Sequence, residues 1–554
     1  MNRQVNAIAG RLSLRPPQRQ SLEILDRVTE IAPPRKNVDI DAALAVIHAE
    51  YPSVTNFERD FPSLCFALAT GVGKTRLMGA FVSYLHLAHG INNFFVLAPN
   101  LTIYNKLIAD FTPNTSKYVF KGIAEFATDA PAIITGDNYE AMASTLFDIT
   151  LRCKINIFNI SKINSEVRGG KSPRIKRLSE YIGESYFEYL AGLPDLVLLM
   201  DESHRYRGTA GLKAINELKP VLGLELTATP FTEPGGVKTD FKNVIFDYTL
   251  ARAMEDGFVK EPAVVTRKNF NPAGMSPEEI ERVKLEDGVR LHESVKVQLE
   301  TYAREYDRDI VKPFVLVIAR DTTHAKNLLD LIQSEDFFKG AYKDKVIQVD
   351  SSKTGAEEEE MIARLLKVER ADEPTEIVIH VNMLKEGWDV TNLYTIIPLR
   401  AANARTLIEQ SIGRGLRLPY GRRTGVEAVD TLSIVAHDRF QEIVDEANRP
   451  DSQIHLKAIA LDSGELEQKT RTVVSQSQLA TKLGIVPAQT TSSTTVAGAG
   501  IAPTFSKPDE QRVAQIAYTV IKSLENQPVK APSLAALSKP AIQAEIVKAV
   551  QEGA

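Results

Sequence analysis

Leu68-Ala69-Thr70-Gly71-Val72-Gly73-Lys74-Thr75 decides how the first half of this chain folds. Just before it, Leu64-Cys65-Phe66-Ala67-Leu68 is an apolar run with the length of a buried parallel strand; after it, Leu77, Phe81, Tyr84 and Leu85 recur at helical spacing between Arg76 and His86. Strand, glycine turn and helix in succession let a backbone curl around an anion. Gly71 and Gly73 allow N–H groups and the helix N-terminus to face it, Lys74 adds a mobile positive charge, and Thr75 offers a hydroxyl to Mg²⁺. Thr70, Gly71, Gly73, Lys74 and Thr75 are therefore the phosphate-binding candidates. The strict spacing of the pattern calls for a glycine where this chain has Leu68.

The outer bounds come from composition. A chain of 554 residues is long enough for two to four domains with substantial cores. Cys65 and Cys153 are the only cysteines, both in apolar runs, which points to buried thiols, a reducing compartment and the cytoplasm. No stretch approaches the roughly 20 apolar residues of a spanning helix, and the N-terminus lacks the apolar core of a signal peptide, so no membrane association is expected. With 66 basic and 71 acidic residues, any nucleic-acid contact must come from a local basic groove.

Further along, Leu14-Arg15-Pro16-Pro17-Gln18 opens a helix running past Leu25, with proline where a first turn tolerates it. Gln18 in such a turn caps the helix or reads an adenine edge through its amide. A second helix carries Ala42, Ala43, Val46 and Ile47. Strand Phe94 to Ala98 ends at Pro99-Asn100, a helix spans Leu101 to Phe111, and strand Ile155 to Ile160 ends at Ser161-Lys162. Alternation of this kind specifies a parallel sheet covered on both faces, with ligands at the strand C-terminal ends. A basic, glycine-containing insertion follows over 162–177.

Strand Leu196 to Met200 runs directly into Asp201-Glu202-Ser203-His204. An apolar strand delivering two carboxylates is costly unless a cation or a proton transfer awaits them. Asp201 is the metal candidate with Thr75, and Glu202 the base for an attacking water. Leu224-Glu225-Leu226 then leads to Thr227-Ala228-Thr229-Pro230.

Leu14 to Gln18, the loop 68–75, Asp201 to His204 and Thr227 to Pro230, in this order, resemble superfamily 2 helicases and translocases of the DEAD/DEAH-box type. The likeness is closest to the motor part of the Res subunit of type III restriction enzymes. The resemblance implies two tandem RecA-like parallel-sheet domains with ATP in the interdomain cleft. It implies adenine contact for Gln18, and coupling of nucleotide to strand movement by His204, Thr227 and Thr229. Ser203 stands where family members often have Ala or Pro.

In the second half, Tyr248 to Val259 reads as the crossover and 276–306 as a charged helix. Strand Phe314 to Ile318 ends at Ala319-Arg320, and strand Ile377 to Val381 meets Asn382-Met383-Leu384-Lys385-Glu386-Gly387-Trp388-Asp389, similar to the family's fifth motif. Gly387 permits close approach to a phosphate or sugar, and Asp389 accepts from a ribose or positions an arginine. Strand Thr395 to Leu399 precedes helix Arg405 to Gly415, where Gln410, Gly413, Arg414 and Arg417 match the sixth motif together. Arg414 and Arg417, three apart, share a helical face and form the arginine-finger candidates, with Gln410 beside them. Nucleic acid is expected along Pro99, Asn100, Ser161, Lys162, Arg320, Asn382 and Lys385.

The expected divisions are 1–247, an ATP-binding domain with the adenine-reading motif; 248–447, the second helicase domain; 448–488, a β-hairpin extension turning at Asp462 to Glu465; and 489–554, a low-complexity linker with helices at 508–525 and 540–551. Pro450-Asp451 and Glu467-Gln468-Lys469 satisfy the loose metal pattern of the nuclease domain that full-length relatives carry, yet too little ordered chain surrounds them for a nuclease core. The expectation is an ATP- and Mg²⁺-dependent DNA translocase or helicase, the motor portion of a restriction or phage-defence system. It would act on double-stranded DNA, with a modification methyltransferase subunit as partner. The alternatives are a complete type III restriction endonuclease subunit, an RNA helicase, and a regulatory ATP switch.

Overall fold

The computed structural model describes residues 2–115, 117–142, 153–160, 175, 185–232, 238–268, 270–349, 360, 361, 364, 365, 367–381, 390–399, 415–437, 457–461, 505, 507–525 and 537–553. Three helices lead in: α1 (Arg3–Arg11), α2 (Pro16–Ile31) and α3 (Ile40–Glu50). Pro16 sits at the first position of α2, where its missing N–H leaves no bond unmade.

The first sheet is built from β1 (Ser63–Leu68), β2 (Asn93–Ala98), β3 (Ala132–Thr135), β4 (Lys154–Asn159), β5 (Leu196–Asp201), β6 (Leu222–Thr227) and β9 (Val244–Tyr248), all parallel, in the order β3-β4-β2-β5-β6-β1-β9. All six residues of each of β1, β5 and β6 are buried, as expected for strands covered on both faces. Helices α4 (Lys74–His89) and α5 (Leu101–Phe111) return the chain between strands. A short antiparallel ribbon of β7 (Phe231–Thr232) and β8 (Thr239–Asp240) follows β6.

The second sheet repeats the plan with β10 (Glu261–Arg267), β11 (Phe314–Ile318), β12 (Val346–Val349), β13 (Ile377–His380), β14 (Leu393–Pro398), β15 (Thr431–Val435) and β16 (Lys457–Leu461), all parallel, in the order β12-β13-β11-β14-β15-β10-β16. The chain is thus α/β with two tandem seven-stranded RecA-like sheets. The charged stretch after β10 is the helix Pro277–Glu305, begun by a Ser276/Glu279 capping box and packed on β14. Gly288 permits that packing, because a Cβ there would stand 2.3 Å from Ile397 Cδ1.

Lys260, at the crossover, is fully buried. Its N–H donates to Leu416 O at 2.7 Å and its ammonium to Thr391 O and Leu393 O at 2.7 and 2.8 Å, over the Tyr394 ring. Both cysteines are buried. Of the anticipated extension, Lys457–Leu461 adds to β10 as a parallel edge strand; the turn at 462–465 and the residues Pro450, Asp451, Glu467, Gln468 and Lys469 lie outside the described residues. Residues Gln468–Ala554 form a separate compact unit, in which the helices Pro508–Glu525 and Pro540–Gly553 pack together. No helix among the described residues is long and apolar enough to cross a membrane.

Candidate functional site

In the first sheet β5, β6 and β1 are consecutive neighbours, so their C-terminal tips bring Asp201, Thr227 and the loop 69–73 to one edge. The loop turns through two left-handed glycines, Gly71 at φ +85 and Gly73 at φ +102, and delivers Lys74 and Thr75 as the first residues of α4. A Cβ on Gly73 would stand 2.5 Å from Gln18 Nε2, so this position also needs glycine for space.

Gln18, only 2 % exposed, braces the loop from α2. Its Nε2 donates to Gly73 O at 2.8 Å, while Oε1 accepts from Arg15 N at 2.8 Å and closes the capping box. The capping role anticipated for Gln18 is present, and the same amide also holds the glycine loop. Arg15, one turn earlier, was not singled out as a site residue. Its Nη1 donates to Gly71 O at 2.7 Å and its Nη2 to Gly421 O at 2.8 Å, with the guanidinium 5.1 Å from the Phe258 ring centroid. Burial, then repulsion from Arg76 and Arg417, lowers its pKa. The signal was its spacing, three residues before Gln18. Truncating Gln18 to Ala leaves the Gly73 carbonyl and the Arg15 N–H without these partners. We expect a loss of about 1–3 kcal/mol, read as a lowered Tm that saturating nucleotide partly restores.

Glu202 follows β5 in the left-handed region, at φ +50. That turn aims its carboxylate at the phosphate loop, where Oε1 lies 3.1 Å from Lys74 Nζ. On the other side Glu202 Oε2 is 3.6 Å from His204 Nδ1, which in turn lies 3.0 Å from Thr227 Oγ1 and 3.2 Å from Thr229 Oγ1. Thr227 Oγ1 also accepts from Thr229 N at 3.0 Å. Lys74, Glu202, His204 and the two threonines form one contiguous polar chain, from the anion cradle to the loop after β6. Thr75 and Asp201 are oxygen donors of the kind Mg²⁺ takes, and Asp201 is 8 % exposed at the tip of β5.

The second sheet reaches the same loop. A Cβ built on Gly71 would stand 3.0 Å from Val259 Cγ1 and 3.7 Å from Arg417 Cγ, which puts Arg417 against the cradle. Arg423 ties the loop after Arg417 to the crossover, donating to Val259 O at 2.9 Å and Glu261 Oε1 at 2.6 Å.

Gln410, Arg414, Gly387, Asp389, Asn382, Lys385, Ser161 and Lys162 lie outside the described residues. Pro99-Asn100 follows β2 on the expected edge, and Asn100 caps α5 by accepting from Ile103 N at 2.9 Å. Arg320, just after β11, is paired with Glu281, which also lies 3.0 Å from His324 Nε2.

Residues 11–232 match the family model described as "Type III restriction enzyme, res subunit". The chain is 25% identical over 181 residues to the Type III restriction-modification enzyme EcoPI Res subunit of Escherichia phage P1, covering 32% of this chain and 18% of that protein. It is 25% identical over 212 residues to the EcoP15I Res subunit of Escherichia coli, covering 38% and 21%. The match thus spans about a fifth of the length of these relatives. Among solved structures, the DNA-bound ATP-dependent Type ISP restriction-modification enzyme LlaBIII aligns with a TM-score of 0.43 and 14% identity, over 94% of this chain and 40% of that one. The stretch that matches this family model, residues 11–232, holds the glycine loop, the acidic turn and the paired threonines.

Proposed function

We propose that this chain is an ATP-driven nucleic-acid motor, a translocase or helicase acting on double-stranded DNA within a restriction or defence system. The observation that carries the reading is the polar chain Lys74–Glu202–His204–Thr227, with Arg417 entering from the second sheet. ATP would lie with its phosphates in the loop 70–75 and its adenine beside Gln18. Thr75 and Asp201 would hold Mg²⁺, which neutralises phosphate charge when bound. Glu202 takes the proton of the attacking water, and Arg417 meets the charge that develops on the γ-phosphate. Loss of that phosphate returns Lys74 to Glu202 and resets the His204–Thr227 contact. Through it, the cleft between the sheets opens and closes, stepping Pro99-Asn100 and the Arg320 edge along a phosphate backbone.

The likeness to restriction-modification Res subunits favours DNA as the track and a modification methyltransferase subunit as partner. The test is steady-state ATP hydrolysis with no nucleic acid, duplex DNA, single-stranded DNA and RNA, with Lys74→Ala as the blank. Strong stimulation by duplex DNA, lost in the blank, is expected. Stimulation by RNA alone would move the assignment to an RNA helicase, and a rate indifferent to all three polymers would leave an ATP switch.

A further inference from the structure

Glu225 lies in the middle of β6 with no solvent exposure, a position that an apolar residue would fill without desolvating a charge. Arg59 Nε is 3.4 Å from Oε1 and Arg207 Nη2 is 2.6 Å from Oε2, while Ser63 Oγ and Asn243 Nδ2 donate to Oε1 at 2.8 and 3.0 Å. Burial pushes the pKa of Glu225 up, but the two guanidiniums and these hydrogen bonds outweigh it and hold the carboxyl below its ordinary range. Buried ion pairs of this kind are poor sources of net stability, since well-packed apolar groups often do as well or better. Stability alone therefore gives no reason for a carboxylate here.

The reason lies in what the arginines hold. Arg207 directly follows the 3₁₀ turn Ser203–Tyr206 that begins beside Glu202. Its guanidinium lies 3.7 Å from the Phe241 ring centroid and also bonds Glu58. Arg59 Nη1 donates to Tyr206 O, the end of the same turn, at 3.4 Å. Alternate strand residues share a face, so Glu225 and Thr227 stand on the side of β6 that the turn covers. The turn is consequently fastened to β6 twice, by His204 on Thr227 and by Arg207 on Glu225.

We propose that Glu225, acting through Arg207, is a positioning residue for hydrolysis: it fixes the far end of the turn that sets Glu202 and His204 against the phosphate loop and the threonine hydroxyls. This inference rests on the motor reading above. Because β6 carries both fastenings, a shift of Thr227 and a shift of the acidic turn are one movement.

Glu225→Gln keeps the shape and the bonds from Ser63 and Asn243 but loses the charge. Arg207→Lys keeps the charge but loses the planar fork. In both, kcat for polymer-stimulated ATP hydrolysis is expected to fall about ten- to hundredfold, with KM for ATP and the stoichiometry of a fluorescent ADP analogue unchanged. Glu225→Gln added to Glu202→Gln should cost little more than Glu202→Gln alone, because both act on the same base. An unchanged kcat in either folded variant would overturn the proposal. So would a parallel loss of kcat and nucleotide stoichiometry, the mark of a merely structural pair. If Glu225→Gln fails to fold, Arg207→Lys decides. Absence of Lys74-dependent hydrolysis in the unaltered protein would instead overturn the motor reading itself, and this inference with it.

Discussion

Arg417→Ala is expected to lower kcat for ATP hydrolysis by about 10³–10⁵ while nucleotide still binds. The side chain comes from the second sheet yet lies against Gly71, the apex of the phosphate loop. In the proposed motor a guanidinium there would face charge that grows only as the γ-phosphate departs, so its removal should affect the transition state far more than the ground state. Lys should not substitute, because a compact ammonium lacks the planar fork. Single-turnover hydrolysis, set beside titration with a non-hydrolysable ATP analogue, separates the two quantities. A variant that hydrolyses normally, or one that loses affinity and rate in proportion, would remove Arg417 from the reaction.

Glu202→Gln should lower kcat by about 10²–10⁴ and leave the affinity for ATP equal or greater. The amide keeps the length of the side chain but cannot take a proton from water. It also ends the ion pair of 3.1 Å with Lys74, which phosphate must otherwise displace. Losing a competitor for Lys74 tightens binding while losing the base slows chemistry, so the two readouts move in opposite directions. A steady-state series with KM and kcat resolved checks this. A fall in affinity would mean that Glu202 supports the loop instead of competing for it.

Much of the scaffold was legible in the chain because burial leaves a simple imprint on strands covered twice. Phe314–Ile318 and Leu101–Phe111 appear with the anticipated ends, and β1, β2, β5 and the helix Pro277–Glu305 within a residue or so. Strands with weaker imprints escaped. In β10, Pro262 interrupts the pattern; β12 has only four residues; and β9, within the stretch before the crossover, carries Asp247 on an edge strand. In the site, residues acting through local geometry were readable: the glycines of the loop, the two carboxylates ending β5, the threonines ending β6. Residues acting through long-range contacts were not. Arg15 meets a carbonyl 406 positions away, and Arg59 meets a carboxylate 166 positions away. Glu225, within the anticipated strand and between two leucines, gave no sign of a role because its cations come from other segments.

Arg15 belongs to the cap of α2, ahead of the first strand, yet bonds carbonyls contributed by both sheets. The helical lead-in is therefore a joint, and not an appendage to be trimmed. A recombinant fragment begun at β1 would keep every glycine, lysine and carboxylate of the proposed ATP site and still lack the strut between its halves. Any minimal version of the proposed motor cut from this chain has to start upstream of residue 15.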